Sequence, residues 1–448
     1  MNMPEFAMPV LTLLQSTFST PTYNRFLVLL LGALLTTGRR TITNVLRTVR
    51  AQAPGHGSSY HRVFSRRRWS TWTLARGLMT FLFTYIVPTG PVFLAGDETV
   101  AEHPGPQVFG KGRHRDGVRS THSYTAYRWG HKWVVVSVLV KLPCATRPWA
   151  LPVLVALYRA PEWDKAHGTR HKTPAHLARL LLACCIRWFP ARQFIFVGDT
   201  GYGTSETARF CHKHRRHLTL SSKFYGDAAL YEPPPPRLPT TVGRPRVKGR
   251  KLRSPHAVVT QTSQRARLTV AWYGGATRTI EVVTGTGHWY RIGETLVEVR
   301  WVYVHDCTGT HRDEYFFTTD VPLSPQQVVE GYTQRWSIET TCQECREYLK
   351  LESTKCYGQQ TVLRLVPCLF GLYTLVVLLY LQLPKPLQAS GAVCWPGKAT
   401  VTFSDMLTCV RRAIWKQWFF HTPQTGKGFA KLSRALQATM LDALAPAA

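Results

Sequence analysis

Apolar positions recur at helical spacing over the first 80 or so residues. Residues 26–35 (FLVLLLGALL) form one apolar run, read as a buried helix, and Gly38 breaks it. Residues 39–50 then place Ile42, Val45, Leu46 and Val49 on one side, with Arg39, Arg40, Arg47 and Arg50 among the rest. Beyond the loop that starts at Pro54, residues 62–69 read as the start of another basic helix. From Pro91 the pattern changes to strands. Residues 92–96 run into Asp97, a glycine-rich basic loop follows, and 122–127 and 133–142 are β-branched and aromatic. An amphipathic helix over 174–189 precedes a buried strand at 194–197 that ends at Asp199, and Gly201-Tyr202-Gly203 turns the chain into a helix over 204–214.

The next segment reads as an insertion. It opens with four prolines at 233–236 and an extended basic stretch containing Arg244, Arg246, Lys248, Arg250, Lys251 and Arg253. Alternating segments at 257–261, 268–273, 279–283, 296–304 and 314–318 match antiparallel strands, the last returning to the core sheet. Ser324-Pro325 supplies an N-cap and a proline at the first helical position. Residues 365–383 carry no charge over a length that could span a membrane, but Pro367, Gln382 and the charged helix just before them favour a core helix.

Composition narrows the partner. Lys and Arg outnumber Asp and Glu 56 to 25 in 448 residues, a net charge of +31 that calls for a polyanion. Nucleic acid is favoured, because the cations are interleaved with 14 Trp and 18 Tyr. With 44% apolar residues the chain has material for sizeable cores. The 11 cysteines follow no disulfide spacing and fit reduced thiols in a cytosolic protein. Cys342 and Cys345 form a CxxC, but a zinc site would need two more ligands, and only Cys356 or His311 is near, so buried thiols are expected.

In a chain this basic, carboxylates placed at the ends of apolar runs stand out. Asp97 and Asp199 are two, and a third, Glu339, lies 140 residues beyond Asp199 in Tyr332-Thr-Gln-Arg335-Trp-Ser-Ile-Glu339. Tyr332, Arg335, Glu339 and Arg346 fall at offsets 0, 3, 7 and 14, which brings them within roughly 60° of one helical stripe. The segment resembles the Tyr-x2-Arg-x3-Glu-x6-Lys signature of insertion-sequence DDE transposases, with Arg346 in place of the final lysine. That exchange keeps the cation but swaps a compact ammonium for a planar fork.

The resemblance covers about residues 90–385 and implies an α/β RNase H-like catalytic core with an inserted antiparallel β subdomain, while the helix, short turn and basic helix ahead of it suit a helical N-terminal DNA-binding domain. The corresponding segments are 1–88 for the N-terminal domain, 89–225 and 314–385 for the two parts of the core, 226–313 for the insertion, and 386–448 for a C-terminal helical region. It implies catalysis by Asp97, Asp199 and Glu339 holding two Mg²⁺ ions, for which Mn²⁺ substitutes. Tyr332 and Arg335 would contact DNA phosphates. In the resembling family an aromatic of the insertion stabilises a flipped base during hairpin formation; Trp272, Trp289 and Trp301 lie in the matching region, where a core role is the expectation for any one of them. Near the first acid Glu98 is the rival ligand, and strand alternation points it to the other side from Asp97. Asp116 is expected to pair with neighbouring arginines. The expected activity is cut-and-paste transposition of an insertion sequence in a bacterial, nucleoid-associated cytoplasmic setting. Its partners would be transposon ends with their inverted repeats and target DNA, bound by a homodimer in the synaptic complex, with no membrane. A metal-dependent nuclease without strand transfer and a catalytically inactive basic DNA-binding protein are the alternatives.

Overall fold

The computed structural model describes residues 3–117, 119–237, 243–291, 295–389, 396–398, 400–420 and 426–446. The N-terminal part is helical: α1 (Met8–Gln15), α2 (Thr20–Leu35), α3 (Ile42–Thr48), α4 (Ser58–Ser65) and α5 (Thr71–Phe81). The apolar run becomes α2, burying Phe26, Leu27, Leu31 and Leu34. Two basic features are placed otherwise than expected. Thr41 caps α3 by accepting from the Asn44 amide, so the helix starts at Ile42 and leaves Arg40 ahead of it. Arg40 is buried, and its guanidinium donates to Ala33 O at 2.9 Å and Tyr348 O at 2.8 Å. It is a strut between two segments and not part of an exposed basic face. Residues 62–69 hold the end of α4 instead of a helix start, and Trp69 turns inward to donate from Nε1 to Val63 O.

One mixed sheet organises the rest. Its strands are β1 (Val92–Glu102), β2 (Gly112–Arg115), β3 (Tyr127–Val140), β4 (Trp149–Tyr158), β5 (Phe194–Gly198), β6 (Leu218–Lys223), β7 (Leu230–Tyr231), β8 (Ala266–Ala271), β9 (Thr277–Trp289), β10 (Val297–Asp306) and β11 (Glu314–Thr318). The order is β2-β3-β1-β5-β6-β11-β10-β9-β7, with β4 also on β3 and β8 also on β9. β5 runs parallel to β1 and to β6, and the other pairs are antiparallel. The inserted strands therefore continue the core sheet through β11, which bridges β6 and β10.

Between the strands lie α6 (Pro161–Ala166), α7 (Pro174–Trp188), α8 (Ser205–Lys213) and α9 (Pro255–Gln261). Residues 257–261, expected as a strand, belong to α9 because Ser254 caps it, accepting from the Ala257 amide, with Pro255 in the first turn. The stretch 122–127 is not a strand except for Tyr127 at the start of β3, whereas residues 112–115 of the supposed loop form β2.

After the sheet come α10 (Pro325–Gln334) and α11 (Ser337–Glu347), then α12 (Gln359–Gln382), α13 (Lys385–Ala389), α14 (Phe403–Phe420), α15 (Gly426–Ala430) and α16 (Arg434–Leu444). Ser324 and Gln327 close a capping box at the start of α10. The long apolar run becomes α12, the one helix among the described residues with the length and composition to cross a membrane. It packs inside the protein: Val366, Phe370, Val376 and Leu378 are buried, and Thr374 Oγ1 donates to Pro152 O of β4 at 2.7 Å.

Candidate active site

Asp97 does not end its strand. β1 continues to Glu102 because β3 pairs with it throughout, from Leu94 opposite Val138 to Glu102 opposite Gly130. Its other neighbour, β5, pairs only through Ala95 opposite Val197. Asp97 thus sits where the parallel neighbour stops, and Asp199 lies just past the end of that neighbour. Gly96 lets the Phe196 ring close under the strand at this point, since a Cβ there would lie 2.4 Å from the ring. The turn after β5 is tied down by its own backbone: Asp199 O accepts from the Tyr202 and Gly203 amides at 3.0 and 2.9 Å and from Ser222 Oγ at 2.8 Å.

The third acid arrives through a broken helix. Between Tyr332 and Glu339 successive amides bond three residues back, Arg335 to Tyr332, Trp336 to Thr333, Ile338 to Arg335 and Glu339 to Trp336. Such tight turns advance about 120° per residue instead of 100°, so the single stripe expected for Tyr332, Arg335, Glu339 and Arg346 is split between α10 and α11. Tyr332 turns into an apolar cluster with Phe316 and Val329. Arg335 and Glu339 face β1. Glu339 stands in the first turn of α11, where a helix N-terminus favours negative charge.

Arg335 joins two of the acids. Its Nη1 lies 3.4 Å from Asp97 Oδ2 and its Nη2 2.7 Å from Glu339 Oε1. Burial pushes the Asp97 carboxyl up to about 7, the nearby charges of Glu339 and Asp199 add to this, and Arg335 and the Glu98 amide oppose it. All three acids therefore share one electrostatic neighbourhood. Among the described residues, however, no three His, Cys, Asp or Glu side chains stand close enough together to hold a metal ion. The donor set is all carboxylate, the chemistry of a hard divalent cation, and the guanidinium lies between two of its members.

Arg346 reaches the same strand, donating from Nη1 to Thr99 Oγ1 at 2.7 Å, two residues from Asp97. Glu98 points to the other face, where it pairs with Lys132 and accepts from Tyr202 Oη at 3.1 Å. Asp116 is held by Arg128 at 2.5 Å. Cys342 and Cys345 are buried on α11, and burial pushes the Cys342 thiol up to about 12, so these side chains are protonated packing groups. Cys394 lies outside the described residues.

Beside Arg335 opens a cavity of about 400 Å³ whose wall includes Lys223, Trp272, Arg312, Tyr332, Arg335 and Trp336. Tyr332 Oη, Trp272 Nε1 and Arg335 Nε are buried with no partner among the described residues. Trp289 instead packs on Phe224 and Phe317, and Trp301 is buried in the sheet. Lys223 and Arg312 carried no sequence signal, Lys223 being a single cation at the end of β6 and Arg312 one in the loop before β11, brought together by the β6–β11 pairing.

The six cations of the basic stretch stand elsewhere. Their segment pairs with the β7 region at the far edge of the sheet, Leu252 N donating to Leu230 O at 2.8 Å. Arg244 and Arg246 are exposed. Arg250 is paired with Glu232 at 2.8 Å, Lys248 lies 4.0 Å from the centre of the Tyr231 ring, Lys251 forms a backbone bridge with Tyr231, and Arg253 donates to Gln261.

Residues 13–279 match the family described as DDE superfamily endonuclease, a stretch that contains Asp97 and Asp199 and stops short of Glu339. Among solved structures the chain is similar to a piggyBac transposase synaptic complex with hairpin DNA, determined by cryo-EM. The likeness has a TM-score of 0.38 and 9% identity over 99% of this chain and 81% of that one, which is too slight to assign a fold. No curated protein matches the chain.

Proposed function

Because the chain belongs to the DDE superfamily endonuclease family, we propose that it is a DNA transposase that binds the ends of a mobile element, cuts them and joins them to a target. The observation that carries this reading is the bridge that Arg335 makes between Asp97 and Glu339 at the end of the parallel strand pair, with Asp199 near enough for its charge to act on Asp97. The strand order β4-β3-β1-β5-β6, with the first three antiparallel and the last two parallel to β1, supports an RNase H-like core. The net charge of +31 supports DNA as the partner.

Asp97, Asp199 and Glu339 would hold two Mg²⁺ or Mn²⁺ ions, which when bound stabilise charge on the attacking and leaving oxygens of a phosphodiester. Arg335, one helical turn from Glu339, is placed to clamp a phosphate once its carboxylates are engaged elsewhere. Arg346 steadies β1 at Thr99 and offers a second cation on the same side. Of the three insertion tryptophans, Trp272 is the one lining the cavity beside Arg335, which favours it as the contact for an extruded base. The six exposed or edge cations at 244–253 would hold duplex phosphates without reading sequence. Synapsis of two ends would require at least a dimer on DNA.

The test uses duplexes with either intact or pre-cleaved 3′ ends copied from the DNA flanking the chain's own gene, each incubated with a supercoiled target and Mg²⁺. Joined products are expected. Cleavage of intact ends with no joining would make the protein a nuclease, and binding with neither would make it architectural.

A further inference from the structure

The edge hairpin formed by β2 and β3 carries an exposed face that the active site does not use. Arg113 lies opposite Trp129 and Arg115 opposite Tyr127. Strand alternation puts these four outward while Gly112 and His114 turn in. Trp129 is 61% exposed and Tyr127 48%. The Arg113 guanidinium lies 3.9 Å from the centre of the Tyr127 ring, and Lys111 Nζ lies 5.8 Å from that of Trp129. β2 and residues 127–133 contain no carboxylate. Glu102, nearby on β1, is paired with Arg128, whose place in the alternation is on the opposite face.

Two large rings left side by side in water where β3 meets the edge strand β2 form an exposed patch that needs a reason. Their place in the sheet gives one. Asp97 lies opposite Val135, Thr99 opposite Trp133 and Ala101 opposite His131. The same alternation continues to Trp129 and Tyr127, so both rings share the sheet face of the Asp97 carboxylate. Trp129 is six residues from Val135, or about 20 Å along the strand. Between the acids and the hairpin this face is covered, with Thr99, His131 and Trp133 buried and His131 Nε2 bonded to Phe109 O, so nucleic acid engaged at the acids would reach the rings by passing over that cover.

We propose that Lys111, Arg113, Arg115, Tyr127 and Trp129 form a binding surface for an unpaired DNA strand leaving the active site. Rings left accessible beside cations are the chemistry that stacks on bases while neutralising phosphates, and a paired duplex does not offer those base faces. This inference rests on the DNA-processing function proposed above and adds the strand form and the place where it is held.

The experiment measures anisotropy of a labelled oligo-dT strand and of a duplex of equal length on the full chain. Wild type is compared with a Tyr127→Ala/Trp129→Ala double variant, an Arg113→Gln/Arg115→Gln double variant and Trp129→Phe, each checked for its fold by circular dichroism. The ring-deleted variant is expected to bind oligo-dT at least about 10-fold more weakly and the duplex within about two-fold of wild type, with Trp129→Phe retaining most of the affinity. The arginine variant is expected to flatten the single-strand salt slope by about 0.7 for each phosphate it no longer neutralises. Wild-type oligo-dT affinity in the ring-deleted variant would overturn the proposal while leaving the transposase reading intact. Wild type that binds neither DNA form would overturn that reading, and this one with it.

Discussion

Arg335 is the residue whose removal reports most directly on how the acids are held. Its contact with Asp97 joins side chains that are 10% and 17% exposed, whereas its contact with Glu339 involves a carboxylate that is 44% exposed. Breaking a well-buried ion pair by deleting one partner costs about 3–5 kcal/mol, and an exposed pair is worth a few tenths. The 3.4 Å separation and the residual exposure of Asp97 bring the expected coupling between Arg335 and Asp97 down to about 2 kcal/mol. This coupling requires an ionised Asp97. Its folded pKa is raised from 3.8 to about 7, so the folded state binds a proton that the unfolded state has released. Asp97 therefore opposes folding increasingly as pH rises from about 4, and the opposition levels off above about 7. At pH 5, well below that value, the folded carboxyl is protonated and has little charge to couple. A double-mutant cycle over wild type, Arg335→Gln, Asp97→Asn and the double variant, by urea unfolding in EDTA, should give about 2 kcal/mol at pH 8 and nearly none at pH 5. A coupling near zero at pH 8, or one equal at both pH values, would refute this account of the site's electrostatics.

Arg40→Met should lower stability by about 3 kcal/mol, because two charge-assisted hydrogen bonds disappear and their carbonyls stay buried; in the folded fraction duplex affinity should remain within two-fold, whereas an Arg lying on a DNA-binding face would give the reverse. Burial lowers the His114 and His131 pKa values from 6.5 to about 4, so protons taken up first by the unfolded chain should erode stability as pH falls from about 6.5 to 4. His114→Gln should therefore lose about 2.5 kcal/mol less than wild type between pH 7.5 and 4.5, read from denaturant midpoints. Neutralising Arg244, Arg246, Lys248, Arg250, Lys251 and Arg253 together should weaken cognate and unrelated duplexes alike and flatten the log-log salt slope by about 0.9 for each phosphate left unneutralised; an unchanged slope would place the electrostatic term elsewhere.

What the sequence disclosed was mostly local. The Ser324-Pro325 cap, the buried strand before Asp199 with its Gly-Tyr-Gly turn, and the apolar runs that became α2 and α12 each follow from a few adjacent residues. The same Ser-Pro signal at 254–255 marks the start of α9, and the cap prevails over the alternation that follows it. β4 is masked in the sequence because Pro152 sits inside it, tolerated at a register shift against Val136 and Ser137 of β3. Long-range pairing hid the rest. Nothing near Asp97 shows that β3 extends β1 beyond it, and nothing near Arg335 shows that tight turns will divide one helical stripe into two. Arg40 is indistinguishable from Arg39 in sequence, yet contacts more than 300 positions away bury it.

The proposed joint action of Asp97, Asp199 and Glu339 in metal-dependent cutting of DNA is tested most directly by mapping strand breaks. A plasmid carrying the chain's own gene with its flanking DNA is incubated with purified protein in Mg²⁺, Mn²⁺ or EDTA, and strand breaks are mapped. Wild type is expected to cut at the element boundaries only with metal. Asp97→Asn, Asp199→Asn and Glu339→Gln should each bind the same ends and cut at least about 1,000-fold more slowly, since the amide keeps the shape and removes the anionic ligand, while Glu98→Gln cuts normally. Cutting in EDTA, or wild-type cutting by any one of the three carboxylate variants, would contradict the account.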